Sequence, residues 1–390
     1  MHALIIPSWY PTKSNPLDGI FFKEQAHALK RSGIQVGIIF PRQISLLEGI
    51  DFFRKLENKV EIIIDNGIPT LTKYFKGFLP FIPFGHSSLF ILSGLSLFEY
   101  YKKKYGRPDI IHAHSALFGG VLAYWIKKIY KIPYIITEHS TKYDLNQILQ
   151  WQKILCRKVF KNADARVAVS PSLGKIIERK IGQDFIPWRY IPNMMNCNQY
   201  KNLHFEQNKK NDFIFLNIGL MTEKKGQKDL LKAFTDASHR DDDIFLRIGG
   251  DGPLKKDLIE LSKKLNIAKK VQFLGILNRK RVFEEIAKSD IFILSSHSET
   301  FGIVLAEALS MGKPVISTDC GGPSCILNEN NGMLVEPKNI KQIADAMLEM
   351  KNNISKFNPK KISKECVERF GETAVIDSIT ALYREIVNEC

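Results

Sequence analysis

Two glutamates, Glu299 and Glu307, are the residues whose type and spacing best suit chemistry on a bound ligand. Both lie in the stretch 295–314, which reads Ser-Ser-His-Ser-Glu-Thr-Phe-Gly-Ile-Val-Leu-Ala-Glu-Ala-Leu-Ser-Met-Gly-Lys-Pro. A carboxylate repels phosphate but accepts hydrogen bonds from hydroxyl groups. The pair therefore predicts contacts to the hydroxyl groups of a sugar-containing ligand.

A strand, a loop and a helix must position these glutamates. The β-branched run 291–294 predicts a buried parallel strand. Apolar spacing over 301–311, followed by Gly312 and Pro314, predicts a helix. Unpaired amides at the start of a helix can receive a phosphate. The amides that we expect to do so belong to Phe301, Gly302, Ile303 and Val304. A phosphate between two hydroxyl-binding carboxylates suits a nucleotide-sugar, which joins ribose, diphosphate and hexose.

This stretch resembles the E-x7-E motif of the retaining glycosyltransferases of family 4, which have the GT-B fold. Two glutamates at this spacing are common, but the surrounding Ser-x-x-Glu-x-Phe-Gly after a strand makes the match specific. The resemblance implies that Glu299 contacts the donor hexose and that Glu307 holds the ribose hydroxyls. It covers nearly the whole chain, and its sharpest motifs lie in residues 213–320.

A second loop, from Gly219 to Gly226, carries a lysine just before a predicted helix. An ammonium group near a helix N-terminus can neutralise a leaving diphosphate, and the resemblance implies this role for Lys225. Family members usually have an arginine where this chain has Leu220. That diphosphate contact is therefore missing or supplied elsewhere, for instance by Lys224. The resemblance also implies donor contacts for the glycines of this loop and of a Gly-Asp-Gly-Pro loop, Gly219 and Gly250.

The N-terminal half offers a histidine at the end of a predicted strand, 109–114. Ligands of parallel α/β sheets bind beyond the carboxyl ends of the strands. The family has a histidine here, near the donor and the acceptor hydroxyl, and His114 fits that position better than His112. Gly19, before a predicted helix, matches the glycine of the family's first loop. Residues 137–139 end a strand at the same rim, where we expect a binding role that the sequence does not specify.

Composition places the chain among globular proteins, with 44% hydrophobic and 25% charged residues. Its length allows two domains of ordinary size. The six cysteines include no C-x-x-C pair, so we expect reduced cytoplasmic thiols and no zinc. The sequence opens on a strand rather than on a basic and then apolar leader, so we expect a protein that is not exported.

Strands alternate with helices in both halves, which predicts an α/β protein. We expect two doubly wound, Rossmann-like parallel sheets facing each other across a cleft, as in the GT-B fold. Residues 1–195 would bind the acceptor and residues 213–370 the nucleotide-sugar, with 196–212 as a linker. The resemblance implies that a last helix, within 371–390, crosses back to the first domain.

The formal net charge of +15 is unevenly distributed. Residues 1–200 contain 27 Lys and Arg against 14 Asp and Glu. Nucleic acid, anionic lipid or a phosphorylated acceptor could explain this excess, but no nucleic-acid-binding motif is present. The aromatic stretch Phe75–Tyr105 ends in Lys102-Lys103-Lys104, and Lys127, Lys128 and Lys131 follow it. We therefore expect a cytoplasmic protein that rests on the inner face of the plasma membrane.

The sequence as a whole predicts a retaining glycosyltransferase that moves a hexose from a UDP- or GDP-sugar to a lipid-linked glycan or lipopolysaccharide acceptor. No cofactor and no divalent metal are expected. A nucleotide-sugar epimerase of the same fold is an alternative enzyme, whereas a phosphorylase usually needs a longer chain. A third alternative is an inactive sugar-nucleotide-binding partner subunit, suggested by Leu220.

Overall fold

The computed structural model describes residues 1–12, 18–44, 59–76, 85–183, 185–195 and 212–389. The chain forms two compact units, one of Met1–Pro192 with Val375–Cys390 and one of Asn193–Ala374. The predicted linker 196–212 lies outside the described residues except for Asp212, and so does part of the aromatic stretch, 77–84.

One sheet forms the centre of the first unit. Its strands in chain order are β1 (His2–Pro7), β2 (Gln35–Ile44), β3 (Val60–Asp65), β4 (Ile68–Lys76), β5 (Ile110–His114), β6 (Tyr134–Glu138), β7 (Ala165–Ala168) and β8 (Arg189–Tyr190). Their order across the sheet is β3-β4-β2-β1-β5-β6-β7-β8. Every neighbouring pair is parallel except β3 with β4.

The hairpin of β3 and β4 departs from the parallel pattern that the sequence predicted. Asn66 and Gly67 connect the two strands, with φ of 48° and 73°, and Asp65 pairs with Ile68 across the turn. Asn-Gly is favoured in such two-residue turns because both residues tolerate positive φ. The prediction of wholly parallel sheets overlooks this local turn signal.

Helices cover the faces of this sheet. They are α1 (Ile20–Arg31), α2 (Gly85–Tyr105), α3 (Val121–Tyr130), α4 (Gln150–Asn162) and α5 (Pro171–Ile181). The helix α5 begins as its sequence predicts, because Ser170 accepts a hydrogen bond from the amide of Leu173 and Pro171 occupies the first helical position. Within the described residues, no helix combines the length and apolar character needed to span a membrane.

The aromatic residues between Phe75 and Tyr105 are mostly core where the structure describes them. Phe75, Phe90, Phe98 and Tyr101 are 9%, 3%, 0% and 0% exposed, whereas Tyr100 is 42% exposed. Phe75, Phe90, Phe98 and Tyr101 therefore do not form an exposed aromatic surface beside the lysines, because they fill the space between α2 and the sheet. The remaining phenylalanines of the stretch lie outside the described residues.

The second unit is built on a wholly parallel sheet of the order β11-β10-β9-β12-β13-β14. Its strands are β9 (Phe213–Ile218), β10 (Ile244–Gly249), β11 (Val271–Gly275), β12 (Ile291–Leu294), β13 (Val315–Thr318) and β14 (Gly332–Val335). Its helices are α6 (Gln227–Arg240), α7 (Lys255–Lys264), α8 (Arg279–Lys288), α9 (Ile303–Ser310), α10 (Ile340–Asn352) and α11 (Pro359–Phe370). These two parallel-sheet α/β units confirm the predicted fold class.

A last helix, α12 (Glu372–Glu389), belongs to the first unit from Val375 onwards. The Tyr383 hydroxyl lies 2.7 Å from Nδ1 of His112 in strand β5. Two residues further along the helix, the Arg189 guanidinium donates to the carboxylate of Glu385. The helix is thus fixed to the first unit by one buried and one exposed polar contact.

Candidate active site

The helix that carries Glu307 begins two residues later than the sequence predicted. Gly302 precedes α9 with φ of +96°, a backbone conformation that is unfavourable for residues other than glycine. Phe301 is 1% exposed, and its ring packs 5.5 Å from that of Phe370. The first amides of the helix are therefore those of Ile303 and Val304, and the prediction that the helix start includes Phe301 and Gly302 is wrong.

Glu299 is held beside Lys225 by the backbone on both sides of its loop. The Glu299 amide donates to the carbonyl of Cys320 at 3.2 Å, and the Gly322 amide donates to the Glu299 carbonyl at 2.8 Å. The Lys225 ammonium donates to Glu299 Oε2 at 2.6 Å, and both side chains are largely buried. The structure thus brings together the predicted hexose ligand and the predicted diphosphate ligand.

Lys225 ends the short 3-10 turn Glu223–Lys225, just before the helix α6. Gly226 follows with φ of +64° and caps α6. A Cβ atom on Gly226 would lie 2.0 Å from the Ser295 carbonyl oxygen. The Ser295 hydroxyl also donates to the Lys225 carbonyl at 3.0 Å. The absence of a side chain at Gly226 lets the lysine turn sit directly on the loop that carries Glu299.

Glu307 is paired with an arginine that the sequence reasoning missed. Its side chain lies in α9 and is 2% exposed, and its carboxylate accepts a hydrogen bond from Arg279 at the start of α8. Burial raises the pKa of Glu307, while the adjacent guanidinium acts to lower it. The arginine is 28 residues away in sequence, and only the packing of α8 beside α9 reveals the pair.

The two predicted glycine loops contact one another at the carboxyl ends of β9 and β10. The Gly219 amide donates to the Gly249 carbonyl at 3.0 Å. Gly250 has φ of +121°, and a Cβ atom there would lie 2.0 Å from the Gly219 carbonyl oxygen. The Leu220 side chain, at the position of the family's arginine, is 63% exposed. Burial and the neighbouring Lys225 lower the pKa of Lys224.

Several buried polar atoms around these loops have no hydrogen-bond partner in the described part of the chain. They are Asn217 Oδ1, Thr222 Oγ1, Gln227 Oε1 and Ser296 Oγ. Buried polar atoms are nearly always hydrogen-bonded in folded proteins. Because these four lie at the carboxyl ends of β9 and β12, this edge of the sheet has spare capacity for a polar ligand.

His114, in the first unit, is fully buried. Its Nδ1 lies 3.1 Å from Nε2 of His139, and its ring centroid lies 4.5 Å from that of Phe22. Its Nε2 has no partner among the described residues. Burial, together with the nearby His112 and His139, holds the pKa of His114 well below its usual value. The imidazole is therefore neutral at physiological pH, and its Nε2 is buried without a hydrogen-bond partner among the described residues.

Two further residues that the sequence placed at this rim are Gly19, matched to the glycine of the family's first loop, and Glu138, whose role it left open. Gly19 has φ of +69°, and a Cβ atom there would lie 3.0 Å from both Trp9 and Phe22. Glu138 is fully buried and serves as a backbone anchor. Its carboxylate accepts hydrogen bonds from the Tyr143 hydroxyl and from the amides of Ala116, His139 and Ser140.

Comparisons with known proteins agree with this arrangement. A family model described as "Glycosyl transferases group 1" matches residues 199–365, and one described as "Glycosyltransferase Family 4" matches residues 19–199. A glycosyltransferase from Bacillus subtilis, TuaC, assigned to teichuronic acid biosynthesis, is 26% identical over 89% of this chain and 88% of its own length.

Two solved structures are similar over essentially the whole chain. Sucrose-phosphate synthase from Thermosynechococcus elongatus has a TM-score of 0.77 and 20% identity, covering 100% of this chain and 99% of its own. HepE from Anabaena, solved in complex with UDP, has a TM-score of 0.75 and 16% identity, covering 99% of this chain and 100% of its own. Because both structures are at most 20% identical to this chain, their similarity shows the fold alone.

Proposed function

Because this chain belongs to the family 4 glycosyltransferases and has the GT-B fold, we propose that it transfers a hexose from a nucleotide-diphosphate sugar with retention of anomeric configuration. The observation that carries the proposal is the contact of Lys225 with Glu299 at 2.6 Å beside the starts of α6 and α9. Cation, carboxylate and helix amides together suit the diphosphate and hexose of one donor.

Each part of the donor has a suitable group in the second unit. Glu307 accepts the ribose hydroxyls, and Arg279 opposes the rise in the pKa of this carboxyl that burial causes. The amides of Ile303 and Val304 and the ammonium of Lys225 stabilise the diphosphate as its negative charge grows. Glu299 accepts hydrogen bonds from the hexose. The spare polar atoms at the ends of β9 and β12 support a polar ligand at this edge.

Retention follows if the acceptor hydroxyl attacks on the face from which the diphosphate departs. An oxygen of that diphosphate then takes the proton of the acceptor hydroxyl, so the chain need not supply a separate base. A double-displacement route would require a nucleophile on the opposite face, and we identify no candidate. His114, neutral and with Nε2 unpartnered among the described residues, would hydrogen-bond a sugar hydroxyl, and Gly19 would let the donor approach the backbone closely.

We propose a lipid-linked glycan or lipopolysaccharide acceptor, in bacterial envelope polysaccharide synthesis. Support comes from TuaC, the relative assigned to teichuronic acid biosynthesis, and from the positive charge of residues 1–200. A phosphate-rich acceptor and an anionic membrane surface are both attracted by such a charge. The protein would then work on the cytoplasmic face of the plasma membrane.

The surface of α3 and α4 supports membrane contact better than the aromatic stretch does. These helices and the residue after α3 contain seven Lys and Arg and no Asp or Glu. Ile129 and Ile154 are 50% and 64% exposed, and the ammonium groups of Lys128 and Lys158 lie over the Trp125 ring. Lysines in the last turn of a helix also complement its dipole, so their presence alone does not indicate a membrane. The evidence for membrane contact is therefore the exposed isoleucines beside them.

The competing readings make different biochemical predictions. An epimerase would change the configuration of the donor sugar without an acceptor, and an inactive partner subunit would bind the donor without turnover. A glycosyltransferase hydrolyses the donor slowly and shows turnover that depends on an acceptor.

A thermal-shift screen of UDP, GDP and their sugars tests the donor, with UDP tried first because HepE was solved with it. A ligand at 100 times its dissociation constant should stabilise the chain by about 2.7 kcal/mol. Transfer of labelled hexose to membrane extracts then tests the reaction. If no nucleotide or nucleotide-sugar stabilises the protein, the proposal is wrong.

A further inference from the structure

His297 lies two residues before Glu299, and it contacts the lysine turn through its backbone and the helix α6 through its ring. Its amide donates to the Lys224 carbonyl at 2.7 Å. Its Nε2 lies 2.7 Å from Oδ2 of Asp229, in the first turn of α6. The His297 and Asp229 side chains are 24% and 19% exposed, so protein partly shields the contact from water.

The opposite side of the loop is held by different contacts. The Thr318 hydroxyl donates to the Ser296 carbonyl, and the Glu299 backbone bonds to Cys320 and Gly322. The loop is thus fixed between the turn after β13 and the start of α6. His297 supplies the side-chain contact to α6 that lies nearest to Glu299.

We infer that His297 and Asp229 are positioning residues, which set the distance and orientation between Glu299 and Lys225. This inference rests on the proposed function, because those two residues are the proposed hexose and diphosphate ligands. Their 2.6 Å contact depends on how the loop and the turn are aligned. Misplacement of a reacting group by about 1 Å can reduce a rate roughly a hundredfold.

The ribose site would not depend on this alignment. Glu307 is fixed by Arg279 on α8, and the His297 side chain makes no recorded contact with either residue in the described part of the chain. Loss of the His297 contact should therefore reduce turnover and the extra affinity that the hexose provides, while the nucleoside diphosphate itself binds as before. Loss of a residue needed only for folding would impair turnover, nucleotide-sugar binding and nucleoside diphosphate binding alike.

The test compares His297→Ala, His297→Gln, Asp229→Ala and the double alanine variant, with His239→Ala as the control at the exposed end of α6. We expect His297→Ala and Asp229→Ala to lower turnover roughly ten- to a hundredfold. Glutamine places an amide nitrogen near the position of imidazole Nε2, so His297→Gln should recover most of the rate. The double variant should be no worse than either single one.

Calorimetry on the same variants should show nucleoside diphosphate affinity within about twofold of the unsubstituted protein, with weaker binding of the nucleotide-sugar. Three outcomes would overturn the inference. They are unchanged turnover in His297→Ala, a loss of nucleoside diphosphate affinity as large as the loss of turnover, and no recovery in His297→Gln.

Hydrogen exchange without any ligand separates this inference from the proposed function. Amides of residues 295–299 should exchange faster in His297→Ala and Asp229→Ala than in His239→Ala, because local opening becomes easier. Unchanged exchange would mean that the pair does not fix the loop. Absence of nucleotide binding by the unsubstituted protein would instead reject the proposed function, and the exchange result would still decide the role of the pair.

Discussion

Lys225 and Glu299 form an ion pair whose side chains are 17% and 15% exposed. A donor that binds at this site must either insert between them or share their hydrogen-bonding capacity. A lysine directed at a departing diphosphate acts mainly where charge develops, so its removal should affect the transition state more than the bound donor.

The first prediction concerns this lysine. Lys225→Ala should reduce turnover by about 10²–10³-fold, as the loss of one hydrogen-bond donor at a developing charge does. The affinity for the nucleotide-sugar should change much less. Steady-state kinetics with the best donor measures both quantities. Lys228→Ala is the matched control, because Lys228 is more exposed and pairs with Glu223 at the surface. A rise in the Michaelis constant alone would limit Lys225 to ground-state binding.

The second prediction concerns the ribose site. Glu307→Ala should weaken binding of the nucleoside diphosphate by about 1.5–3 kcal/mol, the usual contribution of hydrogen bonds to a charged group. Calorimetry on the folded variant measures this change. Glu349→Ala, on the exposed face of α10, serves as the control. Equal affinity in the Glu307 variant and the control would reject the ribose role.

The third prediction concerns divalent metal ions. Turnover should persist in EDTA, because Lys225 and helix amides neutralise the diphosphate charge that a divalent metal neutralises in other enzymes. Assays in EDTA, with and without added manganese, measure this. Activity that is lost in EDTA and restored by manganese would show that a metal takes part.

The sequence identified Lys225, Glu299 and Glu307 as candidates because each lies in a short motif with a definite local context. It could not identify Arg279 or Asp229, whose partners are 28 and 68 residues away. Those pairs exist only after α8 and α6 have packed beside the loops. The burial of His114 under Phe22 was likewise out of reach, since strand alternation indicates a face but not what covers it.

Gly226 shows how a single element junction sets the geometry of the site. It ends the lysine turn, caps α6 and lies against the Ser295 carbonyl oxygen. Two costs should follow from any side chain there. One is the strain of positive φ, roughly 1–2 kcal/mol, and the other is the clash with the backbone of the Glu299 loop.

The fourth prediction uses another glycine to separate these costs. Gly275→Ala should destabilise the second unit by about 1–2 kcal/mol, because its φ is +70° but nothing lies within 4 Å of the added Cβ. Gly226→Ala should cost roughly 1–3 kcal/mol more, since its Cβ would meet backbone. Urea unfolding without ligand measures both. Equal losses would mean that the loop moves aside without cost.

Element boundaries were predictable where local signals agree with packing. The strand β12 begins and ends at the predicted residues, 291–294. The start of α9 was misplaced because Gly302 is compatible with a helix in sequence but has positive φ in the structure. The hairpin of β3 and β4 was missed because an alternating βα pattern elsewhere favoured parallel strands.

At the scale of the whole molecule, the net positive charge lies in a different half of the chain from the proposed donor site. Residues 1–200 carry nearly all of the net positive charge, whereas the rest of the chain is close to neutral. The proposed donor site therefore relies on local groups, Lys224, Lys225 and the helix starts, to bind an anion. Contact with a large anionic partner, such as a membrane or a phosphorylated acceptor, would explain the excess positive charge of the N-terminal half.

The fifth prediction tests the membrane directly by liposome flotation. Binding should require anionic lipid and fall as salt is added, with each near-surface charge contributing about 1 kcal/mol. Replacing Lys128, Lys131 and Lys158 with glutamate should abolish it. The same change at Lys263, Lys264 and Lys269, exposed in the second unit, alters the net charge equally and should leave more binding.

A third variant, with Lys102, Lys103 and Lys104 changed to glutamate, asks whether the contact extends to α2. We expect a smaller effect there, because Lys102 is already paired with Glu99 and stacked on the Tyr130 ring. Equal losses in the second-unit control would show that net charge, rather than the surface of α3 and α4, governs binding. Equal recovery with neutral and anionic liposomes, or none with either, would favour an acceptor that is not embedded in a membrane.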